Sequence, residues 1–140
     1  MTLYLSESAV PLIQANIDLN KAAAVQAVPL DWRSTDEELA AWREIHLGAA
    51  GTSPDLIIAS DCTYNPTYFR PLCGVISRLQ KRSTVCLLAK KHRHQDEEQL
   101  WDELARAGLF AKLIAGEDPP REDEDDEDDT CIGLYIINTR

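Results

Sequence analysis

No two glycines in this 140-residue chain are adjacent or separated by a single residue. All six, Gly48, Gly51, Gly74, Gly108, Gly116 and Gly133, stand isolated. The glycine-rich turn that lets backbone amides approach a nucleotide at the start of a helix is therefore not written in these residues. Apolar runs of the ~18 residues that a membrane helix needs are also lacking, so the expectation is a soluble chain with no membrane association. The opening Met1-Thr2-Leu3-Tyr4-Leu5 is too short for a secretory signal and has no basic flank. The four cysteines, Cys62, Cys73, Cys86 and Cys131, form no C-x-x-C pair. Three of them sit in apolar segments, which points to buried free thiols in a reducing compartment, cytoplasmic or nuclear. His92 and His94 have no third ligand at suitable spacing, so no metal site is expected. Cys62 lacks the histidine or acid arrangement that would make it a nucleophile.

Net charge is -10, but the acidity is local. Glu117 to Asp129 holds ten acids and one base, Arg121, for a net of -9, which leaves the rest of the chain close to neutral. Like charges this dense repel and extend, so the expectation is a solvated, disordered loop at 117–129. Its functional reading is attraction of a basic protein partner, sensitive to salt. The basic stretch Lys90-Lys91-His92-Arg93-His94 is too short and too lightly aromatic to argue for nucleic acid and reads as a solvated turn.

What is present is an alternation of short apolar strands with amphipathic helices. Strands are expected at Thr2 to Leu5, Val25 to Leu30, Asp55 to Ser60, Thr84 to Ala89, Ala111 to Ala115 and Cys131 to Asn138. Helices are expected over Ala9 to Lys21, Ser34 to His46, Tyr68 to Lys81 and Asp96 to Leu109. Thr35 with Glu38 three residues on predicts a capping box. Leu39, Trp42 and Ile45 are expected inward on the second helix; Leu72, Val75, Ile76 and Leu79 on the third; Leu100, Trp101 and Leu104 on the fourth. This order predicts a single α/β domain with a mostly parallel sheet, closed by an antiparallel last strand.

The run Asp55-Leu56-Ile57-Ile58-Ala59-Ser60-Asp61-Cys62-Thr63-Tyr64 carries the most information. A buried parallel strand that ends in a carboxylate delivers that group to the carboxyl edge of the sheet, where open α/β folds bind ligands. An aromatic hydroxyl follows three residues later.

Asn16-Ile17-Asp18-Leu19-Asn20, Leu30-Asp31-Trp32, Ala59-Ser60-Asp61-Cys62-Thr63-Tyr64 and the basic stretch after the fourth strand resemble, in order, motifs of the lysine methyltransferase family 16 group. These motifs run from about Leu3 to Phe110, nearly the whole chain. The resemblance implies a Rossmann-like class I methyltransferase fold that uses S-adenosylmethionine. It implies that Trp32 packs against the adenine, that Asp31 accepts from the adenine amine and that Ser60 lines the cofactor. Asp61 and Tyr64 become the acid-x-x-aromatic pair near the methyl group and the incoming amine. Glu7 is the candidate for the ribose hydroxyls, with a plain helix-capping turn at Ser6-Glu7-Ser8 as the other reading.

The first strand here corresponds to the family's second, so the expectation is a partial domain missing its first strand and glycine-rich cofactor turn. Because that strand lies between the family's second and fourth, its neighbours must pair anew or keep open edges. The chain alone is expected to bind S-adenosylmethionine weakly or not at all. Two functions follow: a protein-lysine N-methyltransferase, truncated or inactive in this form, or a non-catalytic interaction module that binds basic proteins through its acidic loop.

Overall fold

The structure, a computed structural model, describes residues 2–5, 9–49, 51–91, 97–116 and 132–139. Glu7, His92, His94, the acidic run 117–129 and Cys131 lie outside the described residues. The elements are β1 (Thr2–Leu5), α1 (Val10–Leu19), β2 (Gln26–Pro29), α2 (Asp36–Leu47), β3 (Leu56–Ser60), α3 (Phe69–Leu79), β4 (Val85–Lys91), α4 (Glu97–Arg106), β5 (Leu109–Gly116) and β6 (Ile132–Thr139). A single 3-10 turn at Pro66–Tyr68 precedes α3. This is the order expected from the sequence, with modest shifts at the element ends. The chain divides into two compact units, Met1–Ala50 and Gly51–Arg140, each described by itself.

In the first unit β1 and β2 pair in parallel, Leu3 opposite Ala27 and Tyr4 opposite Val28. Pro11 sits in the first turn of α1, where a missing N–H costs nothing. Of this helix only Ile17 is buried. The capping box of α2 is present: Thr35 Oγ1 accepts from Glu38 N at 3.2 Å, and Glu38 Oε2 accepts from Thr35 N at 2.7 Å. Asp36, Glu37 and Glu38 place negative charge at the positive end of the helix dipole, and Gly48 closes α2 in the left-handed conformation at φ 86°. Leu39 is buried as expected. Trp42 is half-buried and donates from Nε1 to the Pro29 carbonyl at 2.9 Å, which ties α2 to the end of β2. Ile45 is not inward; it is 74% exposed. Six residues along a helix turn it about 120° away from Leu39, outside the inward stripe.

The second unit is a four-stranded sheet in the order β3-β4-β6-β5. β3 and β4 are parallel, with Ile57 opposite Cys86 and Ser60 opposite Ala89. β6 runs antiparallel to both β4 and β5, so the expected helix-free closure is present. One face of the sheet buries Ile57, Cys86, Leu88, Tyr135 and Ile137. Phe69, Leu72, Cys73, Val75, Ile76 and Leu79 of α3 and Leu100 and Leu104 of α4 are buried with them. Each such side chain contributes roughly 1.5–3 kcal/mol on leaving water. Trp101, expected in the core, is half-buried. Gln80, just past α3, donates from Nε2 to the Ile137 carbonyl at 2.7 Å and fixes the helix end to the central strands. Gly108 takes φ 75° and ends α4.

Among the described residues β1 pairs only with β2 and β3 only with β4. The sheets are parallel at β1–β2 and β3–β4 and antiparallel around β6, the Rossmann-like arrangement expected.

The thiols Cys62, Cys73 and Cys86 are free. Burial pushes Cys73 and Cys86 up to about 12 and Cys62 up to about 11. Thiolate is the reactive form, so these groups are expected to be inert. Iodoacetamide at pH 8 followed by peptide mapping should leave Cys73 and Cys86 unmodified in the native protein and modify both in urea. Native labelling at either site would contradict the burial. Because the folded thiols hold their protons above the ordinary value of 9.0, their stabilisation is full below it and is lost as pH climbs from there toward about 12.

Candidate functional site

The last pair of the β3–β4 ladder, Ser60 with Ala89, is closed by the residue that follows: Asp61 N donates to the Ala89 carbonyl at 3.2 Å. Asp61 itself takes φ 50°, in the left-handed region. Aspartate is among the few non-glycine residues that tolerate this conformation, at a cost that usually has a reason. Lys21 has a similar φ of 52°, but it follows α1, where a helix C-terminus calls for such a residue. No helix precedes Asp61. Its conformation turns the chain sharply out of the strand and sets the carboxylate at the sheet's carboxyl edge.

The loop that follows is short and built. Asn65 Oδ1 accepts from Thr67 N at 3.0 Å, and Pro66 opens the 3-10 turn that leads into α3. Ser60 and Asp61 are exposed, and Tyr64 is 68% exposed. The structure thus gathers Ser60, Asp61 and Tyr64 on one solvent-facing stretch at the carboxyl end of a parallel strand. A carboxylate and an aromatic ring on one open loop suit an organic cation, the first by charge and the second through its π face.

The first unit has its own carboxyl edge, and Asp31 and Trp32 lie there, just after β2. Leu30 is buried and anchors the exit of the strand. Asp31 is exposed and grips Arg33: Oδ1 accepts from Arg33 N at 2.9 Å and from Nε at 3.0 Å, and Oδ2 accepts from Nη2 at 2.8 Å. The Arg33 side chain and backbone amide hold the Asp31 carboxyl below its ordinary value. The Asp31 carbonyl accepts from Ser34 N and Oγ at 3.1 and 2.7 Å, which closes the turn around Trp32. Trp32 is half-buried. Asp31 is therefore engaged by its own turn, and a ligand would share the acceptor capacity that Arg33 leaves.

Two features escaped the sequence. Arg33 as the partner of Asp31 is an ordinary local pair that no motif marks. Lys90 is the larger difference: its sequence context predicts a solvated turn, and it is 2% exposed in β4. The strand runs two residues past the expected end at Ala89, and Cys86, Leu88 and Lys90 alternate onto its buried face. That period-two spacing was the available signal; the lysine's charge argued against it. Among the described residues no cluster of His, Cys, Asp and Glu has the arrangement to hold a metal. No helix among them is long and apolar enough to cross a membrane.

A family model described as lysine methyltransferase matches residues 2–107. Comparison with curated proteins returns no match. Among solved structures, the fold is similar to a precorrin-6y C5,15-methyltransferase from Geobacter metallireducens, at 13% identity and a TM-score of 0.56 over 97% of this chain and 63% of that one. It is similar to the O-methyltransferase NcsB1 of neocarzinostatin biosynthesis, solved with S-adenosylmethionine, at 9% identity and a TM-score of 0.64 over 99% of this chain and 41% of that one. It is also similar to LepI in complex with S-adenosylmethionine, at 8% identity and a TM-score of 0.63 over 100% of this chain and 36% of that one. The chain therefore spans less than two thirds of the length of these structures, and at such identities the likeness shows the fold alone.

Proposed function

Because the chain belongs to the lysine methyltransferase family, we propose that it serves the transfer of a methyl group from S-adenosylmethionine to a lysine side chain of a protein. The observation that carries this reading is the left-handed Asp61, exposed at the carboxyl end of β3 with Tyr64 on the same loop. Methyl transfer to an amine forms a C–N bond as the C–S bond breaks, and the amine must shed a proton. Bound S-adenosylmethionine supplies an electrophilic methyl group. The protein's task is mainly to position the amine and exclude water.

Asp61 attracts the cationic lysine to the site and orients it by charge. Tyr64 offers an aromatic face to the same group. For the cofactor, Trp32 and Asp31 of the first unit provide a half-exposed ring and a carboxylate that suit an adenine chemically. On the second unit, taken by itself, Ser60 provides an exposed hydroxyl. The ribose role of Glu7 completes the reading. The glycine-rich turn is not among these 140 residues, so this chain alone should bind the cofactor weakly or not at all. A basic protein is the substrate class that the acidic residues 117–129 favour, by long-range attraction that salt screens.

The test has two steps. Calorimetry with the 140-residue chain should give no micromolar binding of S-adenosylmethionine. Incubation of the protein as expressed from its own gene with methyl-tritiated S-adenosylmethionine and a hypomethylated cell extract should label protein. Acid hydrolysis should recover the label as methyl-lysine. Label recovered only in small molecules would overturn the lysine assignment. Salt-sensitive capture of a basic protein without any label would favour the interaction module instead.

A further inference from the structure

Lys90 carries a charge where charge is expensive. At 2% exposure its ammonium has left water, and a buried ammonium costs free energy that its partners must offset. An apolar residue of similar length often does as well or better for stability alone. Among the interactions of Lys90, its Nζ lies 5.1 Å from the centre of the Trp101 ring on α4. Trp101 in turn packs against Tyr135 of β6, ring centres 4.9 Å apart at 54°.

The space for this group is reserved by a glycine. Gly133 stands opposite Lys90 in the β4–β6 ladder. A Cβ at Gly133 would fall 2.5 Å from Tyr135 Cε2 and 2.8 Å from its hydroxyl, so the Tyr135 ring lies directly over the glycine. Lys90, Trp101, Tyr135 and Gly133 thus form one packed group across β4, α4 and β6.

Its position gives it a consequence. The residue before Lys90 is Ala89, whose carbonyl accepts from Asp61 N at 3.2 Å. That bond holds the left-handed turn of Asp61 beyond the end of β3. We infer that Lys90, gripped by Trp101, is a positioning residue that steadies the end of β4 and through it the backbone of Asp61. The inference rests on the proposed role of Asp61 for its link to methyl transfer, but the backbone effect is independent of that role.

The experiment is site-resolved amide hydrogen exchange on the 140-residue chain and on its Lys90→Met, Trp101→Leu and double variants. Lys90→Met should speed exchange at the Asp61 amide about tenfold, the scale of one desolvated cation–π contact. Amides in the middle of α3, such as Val75 and Ile76, should not change. Trp101→Leu should do the same or more, since it also loses its packing on Tyr135, and the double variant should exchange no faster than the faster single variant, because the Lys90–Trp101 contact can be lost only once.

Should Lys90→Met fail to fold, Trp101→Leu carries the same measurement. An unchanged Asp61 amide would overturn the inference. A rise shared equally by α3, or additive effects in the double variant, would also overturn it. In the labelling assay the single variants should lower kcat with KM for the protein substrate unchanged. Loss of all labelling by the unaltered protein would count against the methyltransferase reading and leave the exchange result standing.

Discussion

On the proposed role of Asp61 in methyl transfer, Asp61→Asn should lower that transfer by about a hundredfold or more while leaving the left-handed turn intact. The first half follows from charge. A carboxylate at an open sheet edge attracts and orients an ammonium, and removing one preorganised electrostatic contact in a catalytic site costs typically 10²–10³ in rate. The second half follows from backbone geometry. Asparagine adopts the left-handed region as readily as aspartate, so the turn at φ 50° survives the substitution. Asp61→Ala makes a useful contrast. It removes the same charge and forces a Cβ residue without a local polar side chain into the left-handed well, at about 1–2 kcal/mol. Thermal unfolding should therefore separate the two variants although the labelling assay cannot. Full activity in Asp61→Asn would show that the carboxylate serves only the turn. A melting temperature for Asp61→Asn well below that of the parent would show that its charge serves the fold.

The second large effect lies in the core of the β3–β6 sheet. Ile137→Ala should cost about 2–5 kcal/mol, because Ile137 is 0% exposed and the hole left behind cannot fully collapse. Its position explains the size. Ile137 pairs with Cys86 on one side and Ala111 on the other, and its carbonyl receives Gln80 Nε2. A loss of this size is a large share of a domain's usual stability of about 5–15 kcal/mol. Ile132→Ala is the control. Ile132 lies on the same strand at 60% exposure, and its truncation should stay within about 0.5 kcal/mol. Urea unfolding followed by far-ultraviolet circular dichroism measures both. Equal losses at the two positions would mean that the described burial does not set the packing energy.

Much of the fold was legible because its signals are local and periodic. The capping box at Thr35 and Glu38 is a four-residue pattern with a single geometry, and it formed as written. The apolar face of α3 follows the helical repeat so closely that Leu72, Val75, Ile76 and Leu79 are all buried. The acid that ends β3 was legible because an apolar strand cannot absorb a carboxylate and must present it at its edge. Asp31-Trp32 and Asp61 to Tyr64 were legible as motifs, and the family match over residues 2–107 agrees with the family those motifs suggested.

Local pattern alone set the order of elements, the capping box of α2, the inward face of α3 and the residues that stand at the carboxyl ends of β2 and β3. These depend on neighbours a few positions away. The tertiary structure alone decided three things. It put Lys90 inside, because β4 continues past Ala89 and its period-two pleat turns Lys90 toward Trp101, a ring eleven residues away on another element. It gave Asp61 its left-handed turn, held by a carbonyl on the adjacent strand that no local pattern announces. It left Ile45 in water, because α2 buries only the narrow stripe through Leu39. For Lys90 and Asp61 the deciding partner lies on another element, which only strand register and helix packing bring near; for Ile45 it is the rotation of α2 that decides.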